Sequence, residues 1–217
     1  KLILTFTFRE FVTYNKVRNE FSSAYNSFSM PPGWRPIDLA DDPIGKRYII
    51  SSDSGFAVYN RVTKQLSYPG HNIGREALVE KYGKLSHTAP YRVDSKGRLW
   101  FKRWPPDGGC SIYCFDLVKG VSILEDASIN ETIGRYNEPA SIFEQKDGTI
   151  WISGLLVFGK YDLAEKKFIP VYNGYLNDRS ISYDAVNLFE DRDQNLWVTT
   201  SNNGLYVFNP SKELFTS

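Results

Sequence analysis

The side chains best suited to bind a ligand in this sequence are aromatic, arginine and asparagine residues that lie outside its regular apolar runs. Aromatic faces stack on the C–H surfaces of sugar rings, while arginine and asparagine form hydrogen bonds with hydroxyl groups. The candidate ligand-binding residues are Arg103, Trp104, Arg135, Tyr136, Tyr172, Asn173, Tyr175, Asn202 and Asn203. Together they predict a site for an oligosaccharide, while each residue taken alone also fits an ordinary surface loop.

The sequence offers few residues for catalysis. General acid–base chemistry most often uses histidine, and only His71 and His87 occur, both between apolar runs. No nucleophile elbow, zinc-protease motif or phosphate-binding loop is present. Asp147, Asp191 and Asp193 lie at predicted turns, where capping of backbone N–H groups explains them. We therefore expect a non-catalytic region without a cofactor, and a lyase or hydrolase stands only as a third hypothesis.

The two cysteines are expected to be structural. Cys110 and Cys114 share one predicted strand, and a rise of ~3.3 Å per residue would place their Cα atoms about 13 Å apart. A disulfide requires a separation below about 7 Å. We predict that both are unpaired, buried apolar side chains, and that no zinc or other metal site forms because further ligands at suitable spacing are absent.

Composition excludes several classes of partner. The chain has 217 residues, a formal net charge of +1 and 15% aromatic residues. Without a basic run, binding of nucleic acid is not expected. No apolar run approaches the ~18 residues of a membrane span, so we expect no membrane segment. The first apolar residues are interrupted by Thr5 and Thr7, which argues against a signal peptide.

The elements that must position the ligand residues form a repeat. A turn glycine precedes an aromatic residue by three positions at Tyr48, Trp100 and Trp151, and Gln194 replaces this glycine before Trp197. A second marker is an aromatic residue followed by Asp or Asn, with a lysine nearby: Tyr59-Asn60 (Lys64), Phe115-Asp116 (Lys119), Tyr161-Asp162 (Lys166) and Phe208-Asn209 (Lys212). A repeat of about 50 residues is typical of propellers.

The stretch from Asn187 to Pro210 indicates the structure of one repeat. It alternates strand, tight turn, strand, tight turn and strand, and a short fourth apolar strand follows. We predict an all-β fold, a β-propeller built from four antiparallel four-stranded blades of about 50 residues, either partial or closed as a four-bladed ring. The predicted blades span residues 36–72, 88–125, 139–172 and 184–217. The tryptophans should fill the core between blades, with Tyr48 in that place in the first.

Residues 1–35 form an N-terminal strand and connector. Alternation from Leu2 to Phe8 predicts a strand that completes a blade as its outer or closing strand. Apolar residues at helical spacing over residues 15–30, with Asn15 as N-cap, predict a helix, although the serine-rich part also fits a loop. Between the first two blades, Gly74–Gly83 predicts a short helix that Gly83 ends.

The candidate ligand residues lie where the copies differ. The loop over residues 102–109, with Arg103 and Trp104, is four residues longer than its counterparts in the first and fourth copies. The other residues lie in the remaining second-to-third-strand loops or in the connectors between copies. Binding residues concentrate on such loops.

The fourth copy resembles the repeat of the two-component regulator propellers. That family's pattern is roughly E-D-x-x-G-x-L-W-I-G-T followed by G-L-x-x-F/Y-D/N-P, and here it reads EDRDQNLWVTT and GLYVFNP. Four copies cover about residues 38–217, with departures at Gln194, Tyr48 and Ser153-Gly154. The resemblance implies a periplasmic sensor region of a membrane-anchored hybrid histidine kinase that responds to oligosaccharides. The kinase would lie outside this chain.

The number of blades raises a further expectation. Sensors of this family usually have seven-bladed propellers, so four blades imply either a fragment with an open arc or a closed four-bladed ring. We favour the fragment. An open arc would expose the faces of its first and last blades and would associate with itself, for example as a dimer. The alternative function is a protein–protein interaction scaffold without a small ligand.

Overall fold

A computed structural model describes residues 3–6, 10–86, 88, 91–104, 108–134, 137–171, 185–202, 204–210 and 214–216. Its strands are β1 (Ile3–Phe6), β2 (Glu10–Asn15), β3 (Glu20–Ser22), β4 (Pro36–Asp42), β5 (Arg47–Ser52), β6 (Gly55–Asn60), β7 (Gln65–Ser67), β8 (Tyr91–Val93), β9 (Arg98–Arg103), β10 (Ser111–Asp116), β11 (Val121–Asp126), β12 (Glu138–Glu144), β13 (Ile150–Leu155), β14 (Val157–Asp162), β15 (Lys167–Pro170), β16 (Ala185–Glu190), β17 (Leu196–Thr200), β18 (Leu205–Asn209) and β19 (Leu214–Thr216). The α-helices are α1 (Ala77–Tyr82) and α2 (Ser128–Ile133).

The strands form antiparallel meanders in which each strand pairs with its neighbour along the chain. Sheet N contains β1–β3, and four four-stranded sheets follow: sheet 1 (β4–β7), sheet 2 (β8–β11), sheet 3 (β12–β15) and sheet 4 (β16–β19). The prediction of an all-β fold with antiparallel four-stranded sheets is confirmed. Among the described residues, no helix combines the length and apolar character that crossing a bilayer requires.

The chain divides into two compact units. The first contains Lys1–Ala89, Lys96–Arg98 and Phe115–Val121, and the second contains Pro90–Ser95, Leu99–Cys114 and Ser122–Ser217. In the first unit, sheet N packs on sheet 1 through Phe11 and Tyr59. In the second unit, sheet 3 packs with sheet 2 through one face and with sheet 4 through the other.

The tryptophans of the repeat are anchored by a hydrogen bond that recurs. Each indole N–H donates to the polar side chain six positions earlier: Trp100 Nε1 to Asp94 Oδ2 at 2.8 Å, Trp151 Nε1 to Gln145 Oε1 at 3.0 Å, and Trp197 Nε1 to Asp191 Oδ2 at 2.9 Å. Trp100 and Trp151 are 0% and 1% exposed. The prediction that these two residues form the core between sheets is confirmed, whereas Trp197 is only half-buried.

The alignment of Tyr48 with the tryptophans is wrong. In sheets 3 and 4 the residue before the tryptophan pairs with the third-strand aromatic, as in Ile150↔Tyr161. In sheet 1 it is Tyr48 that pairs with Tyr59. Tyr48 therefore occupies the position before the tryptophan, on the opposite face, and Ile49 takes the tryptophan position. The cause is a first hairpin turn with one extra residue.

That turn also uses its glycine differently from the other copies. Positive φ falls on Lys46, at 52°, and not on Gly45. A Cβ on Gly45 would lie 2.4 Å from both Asp42 Oδ2 and Arg47 Nε, which no real Cβ tolerates. Arg47 Nε donates to Asp42 Oδ2 at 2.9 Å, so the arginine replaces the indole N–H as the partner of this repeated polar position. Gly45 allows close approach of these two side chains.

The second sequence marker is a side-chain cap on the turn that follows the third strand. In three sheets the Asp or Asn Oδ1 accepts from the backbone N–H groups two and three residues later: Asn60 from Val62 and Thr63, Asp116 from Val118 and Lys119, and Asp162 from Ala164 and Glu165. The positive φ in this turn falls on Lys64, Gly120 and Lys166. The aromatic–Asp/Asn marker therefore recurs because its polar residue caps the turn.

Two predictions for residues 1–30 are corrected. The helix over residues 15–30 is wrong, because β2 continues to Asn15, β3 returns over Glu20–Ser22, and only a short 3-10 helix follows. Asn15 Oδ1 caps a hairpin turn by accepting from Val17 and Arg18 N–H. In its described residues, the N-terminal strand pairs with β2 in sheet N rather than with a four-stranded sheet. The rings of Tyr14 and Phe21, 5.0 Å apart, meet across this hairpin.

The helix predicted between the first two copies is confirmed as α1, which ends at Gly83. Helix α2, in the connector between sheets 2 and 3, was not predicted. It lacks a side-chain N-cap bond at Ala127, and Asp126 Oδ1 instead accepts from Ser128 N at 3.0 Å. Cys110 and Cys114 are buried thiols, as predicted.

Candidate functional site

The structure describes three of the predicted ligand residues, Arg103, Trp104 and Asn202. Arg103 ends β9 and Trp104 follows it, at the start of the loop between the second and third strands of sheet 2, which we call the 104–109 loop. Asn202 is exposed in the corresponding turn of sheet 4. The other predicted residues lie outside the described residues: Arg135, Tyr136, Tyr172, Asn173, Tyr175 and Asn203.

Trp104 presents an accessible aromatic surface. Its side chain is 41% exposed. Lys102 Nζ lies 5.2 Å from the centroid of its ring and donates a hydrogen bond to Pro139 O at 2.7 Å. Burial lowers the pKa of Lys102, while Cys110 and Glu138 oppose this effect. Lys102 therefore holds the indole against sheet 3 while leaving part of its surface open to solvent.

Arg103 lies beside a buried tyrosine. Tyr113 is 4% exposed, and its hydroxyl donates to Glu125 Oε1 at 2.6 Å. Burial raises the pKa of Tyr113, the hydrogen bond to Glu125 raises it further, and Arg103 acts in the opposite direction. The Tyr113 ring also stacks on Phe101, with centroids 4.9 Å apart. Arg103 therefore lies on the face of β9 that carries Phe101, whereas Lys102 lies on the opposite face, with Trp104.

Asn130 fixes the far end of the 104–109 loop, and sequence reasoning missed it. Its Oδ1 accepts from Cys110 N at 2.9 Å and its Nδ2 donates to Cys110 O at 2.9 Å. Asn137 Nδ2 donates to the same Oδ1 at 3.0 Å. Gly109 has φ of 80°, and a Cβ there would meet the Asn130 side chain at 2.9 Å. Asn130 lies on the unpredicted helix α2, so nothing in the sequence marked it.

The side chains around Trp104 can be compared with what binding and catalysis require. Burial raises the pKa of the Cys110 thiol to about 12, so the thiol stays protonated and a poor nucleophile. Among the described residues, no three His, Cys, Asp or Glu side chains are arranged to hold a metal ion. The exposed indole can stack on a ligand, and polar atoms near it can bind the hydroxyl groups of that ligand.

A second concave feature lies between sheets 3 and 4, at their first hairpin turns. This groove has a volume of about 280 Å³ and is lined by Gln145, Asp147, Thr149, Trp151, Lys160, Asp193, Gln194, Asn209 and Pro210. Asp147 Oδ1 already caps the turn by accepting from Thr149 N at 2.8 Å. Nearly all of its lining belongs to repeated turn and core positions, so the groove is a weaker candidate than the 104–109 loop.

Comparison with known proteins finds likeness only in structure. No protein-family model matches the sequence, and no curated protein matches it. The chain is similar to the extracellular domain of BT3049 from B. thetaiotaomicron, described as a hybrid two-component system, with 19% identity, a TM-score of 0.59, and coverage of 97% of this chain and 26% of that one. It is also similar to the corresponding domain of BT4673 from the same organism, with 17% identity, a TM-score of 0.55, and coverage of 84% and 24%.

A third similar structure is PorZ, a bacterial surface component of the type-IX secretion system of Porphyromonas gingivalis. It has 12% identity and a TM-score of 0.64, with 99% of this chain and 32% of that one covered. At these identities the likeness establishes the fold. The chain spans about a quarter of the length of the two hybrid two-component domains.

Proposed function

We propose that this chain is part of the extracytoplasmic, periplasmic sensor region of a two-component signalling protein and that the 104–109 loop binds an oligosaccharide. The observation that carries the proposal is Trp104, 41% exposed and supported from behind by Lys102. Arg103 stands next to it on the chain. An exposed aromatic face is the stacking platform that sugar rings require.

Two further observations support the sensor part of the proposal. The fourth copy of the repeat resembles the two-component regulator propeller pattern over residues 176–210. Two similar solved structures are extracellular domains of proteins described as hybrid two-component systems. In this proposal the region is non-catalytic, it uses no cofactor, and the kinase belongs to a part of the protein outside this chain.

The proposal includes the propeller architecture. Sheet 3 packs with sheet 2 on one face and with sheet 4 on the other, as blades do in a propeller. We assign the four blades to residues 36–72, 88–125, 139–172 and 184–217 and the preceding segment to residues 1–35.

The ligand can be sought by thermal shift against a panel of neutral and acidic oligosaccharides. A ligand at about 100 times its Kd stabilises the folded protein by ~2.7 kcal/mol, so binding should raise Tm. The same shift should be much smaller in Trp104→Ala and unchanged in Phe21→Ala, a matched control whose ring is 42% exposed on sheet N. A panel without any shift, or equal shifts in all three proteins, would refute the assignment.

The second candidate function is a protein interaction scaffold that associates with itself. Phe189 and Leu205, 65% and 49% exposed, favour it, because large apolar side chains on one sheet face mark an interaction surface. A molecular mass that rises with protein concentration, without a thermal shift from any sugar, would support the scaffold over the sensor.

A further inference from the structure

The groove between sheets 3 and 4 is open where a leucine occupies the corresponding place between sheets 2 and 3. Leu163 directly follows the turn cap Asp162 and packs against the core that sheets 2 and 3 share. Its counterpart after Asn209 is Pro210, a smaller side chain that lines the groove. Replacement of leucine by proline at this repeat position therefore leaves space between sheets 3 and 4.

Lys160 is the second residue at which the groove departs from the repeat. It pairs with Trp151, so both side chains point to the side of sheet 3 that packs on sheet 4. The same strand position holds Val58 in sheet 1 and Val207 in sheet 4, and Val58 is 1% exposed. An apolar residue suffices for packing at this position, so packing does not explain the ammonium group of Lys160.

Three charged side chains line the groove: Lys160, Asp147 and Asp193. Asp147 belongs to the first turn of sheet 3 and Asp193 to that of sheet 4, so each sheet contributes one carboxylate. Within the described part of the chain, the side chains of Lys160 and Asp193 form no hydrogen bond or ion pair. Asp147 uses Oδ1 in its turn cap, which leaves Oδ2. The groove therefore offers a ligand one ammonium group and two carboxylates.

The size and charge of the groove narrow the chemical class of its ligand. A volume of about 280 Å³ equals that of about nine waters at ~30 Å³ each, which suits a molecule of about ten non-hydrogen atoms. A carboxylate on the ligand complements Lys160, and two cationic groups complement the two aspartates. Pro210 and Trp151 also line the groove and can contact methylene groups between these charges. A free basic amino acid combines all of these features.

We propose that the groove between sheets 3 and 4 binds a free basic amino acid such as lysine. Lys160 holds the carboxylate of the ligand, and Asp147 and Asp193 hold its two ammonium groups. None of the residues that line the groove belongs to the 104–109 loop, so this site does not depend on the proposed recognition of a sugar.

The first test is isothermal titration calorimetry of the full chain with L-lysine, up to about 10 mM because so small a ligand binds weakly. Cadaverine lacks the carboxylate of lysine, and norleucine lacks its side-chain ammonium group. Each should bind at least tenfold more weakly than lysine, because each leaves a charge of the groove without its partner.

The variants assign these preferences to residues. Lys160→Met keeps an unbranched apolar stem at a position that is apolar in sheets 1 and 4, so the protein should fold and should no longer prefer lysine over cadaverine. Asp193→Asn, on the exposed turn, should weaken lysine binding at least tenfold. The matched control is Lys167→Met, an exposed lysine on β15 of the same sheet, which should bind lysine like the wild type.

The second test locates the site by the chemical shifts of backbone amides. Lysine should move the signals of residues 145–149 and 191–195, in the first turns of sheets 3 and 4, and leave those of residues 108–110 unchanged. Absence of binding at about 10 mM, where weak binding of a small ligand is still detected, would overturn the proposal. Equal binding of lysine and cadaverine to the wild type, unchanged binding in Lys160→Met, or a neutral sugar in the groove would do the same. The effect of Trp104→Ala on sugar binding bears only on the 104–109 loop, so the two proposals fail separately.

Discussion

At the scale of single residues, the polar residue six positions before the tryptophan anchors the indole in sheets 2, 3 and 4. In sheet 4 Asp191 Oδ1 accepts from Asp193 N at 2.9 Å and Asn195 N at 3.0 Å, while Oδ2 accepts from Trp197 Nε1 at 2.9 Å. These bonds favour the charged carboxylate, and that from Trp197 contributes most to lowering the pKa of Asp191 from its ordinary 3.8. A sequence motif that could be taken for a pair of catalytic carboxylates is a turn cap.

The lowered pKa makes stability depend on pH. Because the folded protein holds the Asp191 proton less tightly than the unfolded chain, this contribution is present above pH 3.8 and is lost as the pH falls through the lower folded value. Thermal unfolding followed by circular dichroism should show Tm falling on acidification below about pH 4. Asp191→Asn should lower Tm at pH 7 and flatten this part of the profile.

The neighbouring Asp193→Asn is the control for the pH profile. The profile of this variant should keep the slope of the wild type, because only the carboxylate of Asp191 receives the indole and turn N–H groups. Equal flattening in both variants would show that the acid sensitivity is a general charge effect.

At the scale of elements, neighbouring sheets are joined by a repeated carboxylate. Glu144 on β12 accepts from Ser95 N at 2.7 Å and Ser95 Oγ at 2.6 Å, which ties the first turn of sheet 2 to sheet 3. Glu190 on β16 accepts from Lys146 N at 2.7 Å in the same way. Its buried Oε1 has no hydrogen-bond partner among the described residues, because Lys146 stands where sheet 2 has Ser95.

Lys146→Ser should therefore stabilise the protein. The new hydroxyl can donate to Glu190 Oε1 and copy the Ser95 arrangement, at the loss of an exposed bond from Lys146 Nζ to Asp191 O. A hydrogen bond to a charged group contributes about 1.5–3 kcal/mol, so a net gain near 1 kcal/mol is expected in urea denaturation. Ser95→Ala should destabilise by a similar amount. A loss of stability in Lys146→Ser would contradict the equivalence of the two contacts.

Helix α2 should control the ligand loop through one side chain. Asn130→Ala removes both bonds to the backbone of Cys110 and should cost about 1–3 kcal/mol, the penalty for leaving buried polar groups unpaired. It should also weaken ligand binding although Asn130 does not form part of the predicted platform. Thr132→Ala, on the exposed side of the same helix, should change neither quantity.

The sequence predicted the strands and turn caps of the repeats correctly, but not the first hairpin of sheet 1, the fold of residues 15–30 or helix α2. Turn chemistry and strand alternation are local, so strands and the Asp/Asn caps could be located. The alignment of Tyr48 with the tryptophans failed because the first hairpin of sheet 1 has one extra residue, which moves every following side chain to the other face of the strand. Residues 15–30 carry apolar residues at helical spacing, but the turn capped by Asn15 allows a hairpin that packs on sheet 1. Helix α2 forms through packing of Ile129, 0% exposed, which local sequence does not reveal.

At the scale of the whole molecule, the repeated residues build the fold and the residues that differ between copies carry the proposed function. The indole bonds, turn caps and inter-sheet carboxylates recur in sheet after sheet. Trp104 belongs to an insertion that the first and fourth copies lack, and Arg103 directly precedes it. Sequence comparison of the copies could therefore locate the candidate site, but not the contacts of Lys102 and Asn130 that position it, since those join residues distant along the chain.

The central claim is that the 104–109 loop recognises a sugar through the exposed indole. Isothermal titration calorimetry with the oligosaccharide that gives the largest thermal shift tests it most directly, on the wild type, Trp104→Ala and Phe21→Ala. We predict that Trp104→Ala weakens binding at least tenfold, which equals ~1.4 kcal/mol, while Phe21→Ala binds like the wild type. Equal Kd values for the wild type and Trp104→Ala would contradict the claim.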